Sequence, residues 1–120
     1  MVSCGLVVDD DPYFVTLVAR ILEAMGVERI LTAPDAATAL EQAVAHRPPA
    51  ALVDVGLPDR DGTDLGKELA ALCWSPRVVL TSTDNDAVAA LDSAPGGVSL
   101  PFLPKEDLAE RELRRLLRSA

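Results

Sequence analysis

The chain alternates between short apolar runs, typical of buried strands, and stretches with apolar residues at helical spacing. Asp11 followed by Pro12 is typical of a helix start, and Gly26 of a helix end. This alternation, without repeat or linker, predicts one α/β domain over residues 1–120, a doubly wound three-layer sandwich. Its parallel sheet would have five strands, at residues 6–10, 29–33, 50–55, 78–81 and 100–103, alternating with five helices, the fourth at 84–94.

Composition narrows the class of protein. With 49% hydrophobic residues in 120, the chain can fill one core. A formal net charge of −8 argues against direct binding of nucleic acid. Cys4 and Cys73 are expected to be free, mostly buried thiols, which suggests a reducing compartment. No apolar run approaches the roughly 18 to 20 residues of a membrane span, and the start resembles no signal peptide, so we expect a cytoplasmic protein without membrane contact.

Reactive polar residues stand where the predicted strands end. Asp9 and Asp10 end the first strand, Asp54 ends the third, Thr81 ends the fourth, and Lys105 follows the fifth. In an open parallel sheet, ligands bind beyond the carboxyl ends of the strands. We therefore expect these five side chains to meet at one edge of the sheet.

That set of side chains suits phosphoryl transfer. Three carboxylates close together would repel one another, which implies a divalent cation among them. Oxygen ligands without a nearby His or Cys favour Mg²⁺. A carboxylate nucleophile, a metal, a lysine that clamps phosphate and a threonine hydroxyl that donates a hydrogen bond form a workable set. A single aspartate at a strand end is more often a helix cap or a solvated loop residue, and Asp11, before Pro12, is better explained as a cap. Thr81 alone could also be a capping residue.

Four strings resemble the receiver domains of two-component response regulators: LVVDDDP, ALVDVGLPDRDG, VVLTS and FLPK, in that order and at the family's intervals. The resemblance covers essentially the whole chain. It implies a flavodoxin-like fold with strand order 2-1-3-4-5 and a role in phosphorelay signal transduction. It also implies that the chain is not an enzyme acting on a separate substrate, although it assists its own phosphorylation and dephosphorylation.

The resemblance assigns roles to individual residues. Asp54 would accept the phosphoryl group. Asp10 and Asp54 would ligate Mg²⁺ together with the backbone carbonyl of Gly56, and Asp9 would act mostly through a metal-bound water. Lys105 would pair with Asp54 or with the phosphate.

The resemblance also predicts a switch and partners. Thr81 would hydrogen-bond a phosphate oxygen, and Phe102 would turn inward with it, unless Phe102 is simply a core residue. The face of the fourth helix, fifth strand and fifth helix would change. The only histidine, His46, is expected at the surface, so the phosphohistidine must belong to a sensor histidine kinase. The implied output is a transcriptional domain outside this chain, with a homodimer on phosphorylation; a stand-alone receiver is the alternative.

The chain departs from the family pattern at three places. Glu106 follows Lys105 where proline is usual, which weakens the expectation of a cis peptide bond there. The segment at 91–102 is longer than usual and rich in glycine and proline, which leaves the shape of the signalling face open. Gly56 offers no side chain to shield an acyl phosphate, so the sequence does not predict the lifetime of that group.

Two other functions fit part of the pattern. Asp9 and Asp11 form the DxD of an aspartate-nucleophile phosphatase, but that family usually has Thr or Val where Tyr13 stands, and a larger chain. A receiver that acts without phosphorylation would keep its carboxylates only for structure. Intact Asp54, Thr81 and Lys105 argue against this alternative.

Overall fold

Five parallel strands form one sheet, in the order β2-β1-β3-β4-β5. The computed structural model describes residues 3–82 and 100–117. The strands are β1 (Cys4–Val8), β2 (Arg29–Ala33), β3 (Ala50–Asp54), β4 (Arg77–Ser82) and β5 (Phe102–Pro104). The helices are α1 (Pro12–Ala24), α2 (Ala36–His46), α3 (Gly62–Ala70), a 3₁₀ turn (Lys105–Asp107) and α4 (Glu110–Leu117). The predicted doubly wound fold and strand order are confirmed.

Two predictions concern residues outside the described part of the chain. The helix predicted at 84–94 falls there, so α4 is the fifth helix of the sequence prediction. Most of the long segment at 91–102 falls there too. Among the described residues there is no cis peptide bond, and none of their helices is long and apolar enough to cross a membrane.

The sheet separates two hydrophobic cores, because successive strand residues point to opposite faces. On one face, helices α2 and α3 pack against the sheet and form the first core. On the other face, α1 and α4 form the second core. β3 is buried at all five positions and supplies both cores. The first core includes Leu6, Val8, Ala39, Ala43, Val53, Leu65 and Leu69, and the second includes Val7, Val18, Leu22, Leu52, Val79 and Leu113.

Three helices begin at an aspartate cap. The side chains of Asp11, Asp35 and Asp61 accept hydrogen bonds from backbone N–H groups in the first turns of α1, α2 and α3. Such caps satisfy N–H groups that have no partner within the helix. The helix start predicted at Asp11 is confirmed, and the caps at Asp11 and Asp35 fix where the chain turns after β1 and β2.

Some burial predictions are wrong. Leu17 of α1 and Val44 of α2 belong to the apolar residues at helical spacing, which predicts that they are buried, but they are 50% and 67% exposed. α2 buries a narrow stripe of alanines instead, so its valine lies outside the contact. Cys4 is partly buried, but Cys73 is exposed because it lies in a turn beyond the end of α3. The prediction of two mostly buried thiols is therefore wrong for Cys73.

Gly62 allows α3 to start directly against the end of β3. Its N–H donates to the carbonyl of Val55 at 2.9 Å. A Cβ atom at this position would lie 1.9 Å from the backbone oxygen of Asp54, a separation that no side chain can adopt. Gly5 in β1 is the opposite case, because a Cβ there would make ordinary contacts of 3.5 Å with Leu22 and 3.9 Å with Val27.

We expect the same substitution to have opposite effects at these two glycines. Gly62→Ala should lower the free energy of unfolding by about 3 kcal/mol or more, because the β3–α3 connection must move. Gly5→Ala should raise it by about 0.5–1 kcal/mol, because an alanine has less freedom to lose in a strand. Chemical denaturation of both variants measures this. Equal losses would mean that β1 has no room beside Gly5.

Candidate functional site

The five side chains predicted at the sheet edge do lie there together. Asp9 and Asp10 follow β1, which ends at Val8 rather than at residue 10 as predicted. Asp54 is the last residue of β3, and Thr81 is its register partner in β4. Lys105 comes directly after β5. The parallel topology brings these positions together, as the spacing of strand ends predicts.

Three carboxylates form a tight cluster at this edge. One oxygen from each of Asp9, Asp10 and Asp54 lies within 4.8 Å of the others. Asp9 and Asp54 are only 3% and 7% exposed, whereas Asp10 faces solvent. Such a group of oxygen ligands, buried on one side and open on the other, fits a hard divalent cation that keeps water molecules.

Backbone N–H groups orient two of these carboxylates. The N–H of Asp11 donates to Oδ1 of Asp9 at 2.9 Å. The N–H of Gly56 donates to Oδ1 of Asp54 at a longer 3.3 Å. Asp9 therefore has the shorter of the two backbone hydrogen bonds, and Asp54 is held more loosely.

Lys105 supplies the positive charge next to this cluster. Its Nζ lies 2.8 Å from Oδ2 of Asp9 and 3.6 Å from Oδ2 of Asp54, so its closer partner is Asp9. The ammonium also lies 4.5 Å from the centre of the Phe14 ring, within the range of a cation–π contact. Lys105 is thus held between an aromatic face and two carboxylates, close to Asp54 without a full hydrogen bond to it.

Burial and neighbouring charge shift two pKa values. Burial raises the pKa of Asp54, and the charge of Asp9 raises it further, more than Lys105 and the Gly56 N–H lower it. Burial alone would lower the pKa of Lys105, but its hydrogen bond to Asp9 and the charges of Asp54 and Asp9 outweigh this, so that pKa is raised. Lys105 therefore stays an ammonium, and one positive charge faces three carboxylates.

Thr81 presents a hydroxyl that is buried and unpaired. The residue is 1% exposed, and Oγ1 has no hydrogen-bond partner in the described part of the chain. Its backbone carbonyl accepts from Val55, which fixes the residue beside Asp54. A buried hydroxyl without a partner costs about 1–3 kcal/mol. This hydroxyl therefore has an unused capacity to donate a hydrogen bond.

The remaining predicted residues lie close to this set. Gly56 is exposed, two residues beyond Asp54. Phe102 is partly buried and packs against the first core, next to Leu80 across the β4–β5 pair. Sequence reasoning missed Phe14, whose helical spacing indicated only a core residue. It also missed Asp59, which appears in the sequence as one of several turn formers.

Comparisons with known proteins agree on one protein family. The model of the response regulator receiver domain matches residues 6–116. The transcriptional regulatory protein KdpE of Mycobacterium tuberculosis is 37% identical over 107 residues, which cover 87% of this chain and 47% of that protein. A protein-glutamate methylesterase/protein-glutamine glutaminase of Pseudoalteromonas translucida is 38% identical over 108 residues, 87% of this chain and 27% of that protein.

A solved structure agrees with the sequence relatives. The BeF3-activated N-terminal receiver domain of Klebsiella pneumoniae RstA superposes with a TM-score of 0.79 at 27% identity. The match covers 97% of this chain and 99% of that domain. The chain spans about half the length of KdpE and about a quarter of the methylesterase. This chain belongs to the response regulator receiver domain family and is a receiver domain of two-component phosphorelay signalling.

Proposed function

We propose that Asp54 is the phosphoacceptor of this receiver domain. The observation that carries the proposal is its position, 3.6 Å from the ammonium of Lys105 and in register with Thr81, whose buried hydroxyl has no hydrogen-bond partner among the described residues. Asp9 is a poorer candidate, because its Oδ1 accepts a backbone hydrogen bond at 2.9 Å and its Oδ2 lies in the closer ion pair with Lys105, at 2.8 Å. Asp10 is exposed and lies beyond the strand end. Oδ2 of Asp54 lies at the longer distance of 3.6 Å from Lys105 and would act as the nucleophile.

The transfer would be a displacement at phosphorus. An oxygen of Asp54 attacks the phosphorus of a phosphohistidine, the P–N bond breaks, and its electron pair stays on the imidazole nitrogen. As the acyl phosphate forms, Lys105 turns from Asp9 to a phosphoryl oxygen, and the Thr81 hydroxyl donates to another. The displacement of Thr81 draws Phe102 further inward and changes the surface around β5 and α4.

The acidic cluster fits Mg²⁺. Asp10, Asp54 and the backbone carbonyl of Gly56 would hold the ion, with Asp9 acting through a bound water molecule. When bound, the ion offsets the charge of the carboxylates and of the incoming phosphoryl oxygens. Without the ion, the negative charge of the three carboxylates is only partly balanced, since Lys105 is the one cation that contacts the cluster in the described part of the chain.

The partners follow from this chemistry and from the relatives. We propose that all 120 residues form one cytoplasmic receiver that takes its phosphoryl group from a sensor histidine kinase, promotes its own dephosphorylation and pairs with a second copy when phosphorylated. Similarity to KdpE supports a transcriptional output domain outside these residues, although similarity to the methylesterase supports a different output. A stand-alone receiver is the alternative. The net charge of −8 makes direct contact with DNA by this chain unfavourable.

Phosphorylation can be tested directly. Incubation with acetyl phosphate and Mg²⁺ should increase the intact mass by one phosphoryl group, and Asp54→Asn should abolish that increase. Asp64→Asn, an exposed position in α3, is the matched control and should behave like the wild type. Mass is a better signal than fluorescence, because Trp74 donates its indole N–H to Pro48, before the start of β3, at the opposite edge of the sheet.

The alternatives give different results in the same experiment. A folded wild-type protein that gains no mass would indicate a receiver that acts without phosphorylation. A mass gain that survives in Asp54→Asn would place the phosphoryl group elsewhere. Sustained release of phosphate over many turnovers from a small phosphate ester would indicate a phosphatase.

The uncompensated charge also predicts a coupling between metal and stability. Mg²⁺ should raise the thermal midpoint of the wild type by roughly 3–6 °C, equivalent to about 1 kcal/mol. Asp54→Asn should raise the midpoint in Mg²⁺-free buffer, because it removes a buried negative charge beside Asp9, and the remaining response to Mg²⁺ should shrink. Calorimetry with and without the ion measures both effects. An unchanged wild-type midpoint at saturating Mg²⁺ would contradict this account.

A further inference from the structure

A side chain in the β3–α3 loop reaches across to another helix. Oδ1 of Asp59 accepts the N–H of Ala36 at 2.9 Å, and Oδ2 accepts the N–H of Ala37 at 3.1 Å. These two N–H groups open α2, which already has its own cap at Asp35, bonded to Thr38. α2 therefore carries two aspartate caps, one from its own chain segment and one from a loop more than twenty residues away.

The interaction joins a negatively charged side chain to the N-terminus of a helix. The N–H groups of Ala36 and Ala37 are the main favourable causes that hold the pKa of Asp59 below its ordinary value, so the side chain is a carboxylate. A carboxylate is stabilised at a helix N-terminus by the partial positive charge there. Asp59 is exposed, so its removal leaves no cavity. The contact therefore fixes the position of the β3–α3 loop relative to α2 and contributes little to core packing.

The loop that contains Asp59 follows directly after Asp54, the proposed phosphoacceptor. It begins after Asp54, passes through Gly56, and ends at Asp61, the cap of α3. Arg60 ties the same stretch to α3 through an ion pair with Glu68 at 2.8 Å. Asp59 and Arg60 thus fasten the middle of the loop to two different helices. The backbone of Gly56, which is exposed, lies three residues before this double attachment.

We propose that Asp59 is a positioning residue for the metal site, which it serves by fixing the β3–α3 loop to the N-terminus of α2. The inference rests on the proposed function, because it assumes that the carbonyl of Gly56 is a Mg²⁺ ligand. A loop held in its binding geometry loses less conformational freedom when the ion binds, so affinity rises. Coupling is reciprocal, so bound Mg²⁺ must also stabilise the start of α2.

A pair of alanine variants separates positioning from capping. Asp59→Ala and Asp35→Ala each remove an acceptor from the same helix end, so both should lower the thermal midpoint. Only Asp59→Ala should weaken Mg²⁺ binding, by roughly three- to tenfold, somewhat less than the loss of a group bonded directly to a metal ligand. Titration of the wild type and both variants with MgCl₂, followed by calorimetry or by the amide signal of Gly56, gives the three affinities.

Amide hydrogen exchange provides a second measurement that capping alone would not change. Saturating Mg²⁺ should slow exchange at Ala36 and Ala37 in the wild type and in Asp35→Ala, but not in Asp59→Ala. Asp59→Asn keeps one acceptor oxygen and should give an intermediate affinity; it also replaces the alanine variant if that protein does not fold.

The outcomes are distinct. Wild-type Mg²⁺ affinity in both Asp59 variants, or an equal loss in Asp35→Ala, would overturn the positioning role while leaving the proposed metal site intact. A folded wild type that binds no Mg²⁺ would overturn the metal site and this inference together. A selective loss in the Asp59 variants, with the exchange effect, supports the inference.

Discussion

The structure depends on an imbalance of charge at the carboxyl edge of the sheet. Three carboxylates lie within 4.8 Å of one another, two of them buried, and one ammonium contacts them. Buried like charges destabilise a fold unless something offsets them. In the proposed function, a cation and then a phosphoryl group hydrogen-bonded to Lys105 and Thr81 would offset this imbalance. The charge arrangement that is unfavourable in the protein alone would then be the one that favours the cation and the phosphoryl group.

The rest of the fold keeps this edge in place. Gly62 lets α3 begin against the backbone of Asp54, and the caps at Asp11 and Asp61 end the loops on either side of the cluster. Asp59 likewise caps the N-terminus of α2 from the β3–α3 loop. The loops that carry the chemistry are therefore fastened by short polar contacts to helices whose apolar faces are buried in the two cores. A rigid support of this kind is what a preorganised site requires.

Much of this arrangement could be predicted from sequence, because it follows from periodicity and from strand ends. The alternation of apolar runs predicted the sheet, and the residues after each run predicted the cluster of Asp9, Asp10, Asp54, Thr81 and Lys105. Contacts between distant segments could not be predicted. The pairing of Lys105 with Asp9 rather than Asp54, the ring of Phe14 over its ammonium, and the reach of Asp59 to α2 depend on tertiary distances that no local pattern encodes. The exposure of Cys73 depends on where α3 ends.

The central claim is that Asp54, among three neighbouring aspartates, receives the phosphoryl group. Chemical mapping of the acceptor tests it most directly. Borohydride reduces an aspartyl phosphate to homoserine, so the protein is treated with acetyl phosphate and Mg²⁺, reduced, digested and sequenced by mass spectrometry. Homoserine is expected at position 54, with unmodified aspartate at positions 9 and 10. Homoserine at position 9 or 10, or at none of the three in a protein that gained phosphoryl mass, would contradict it.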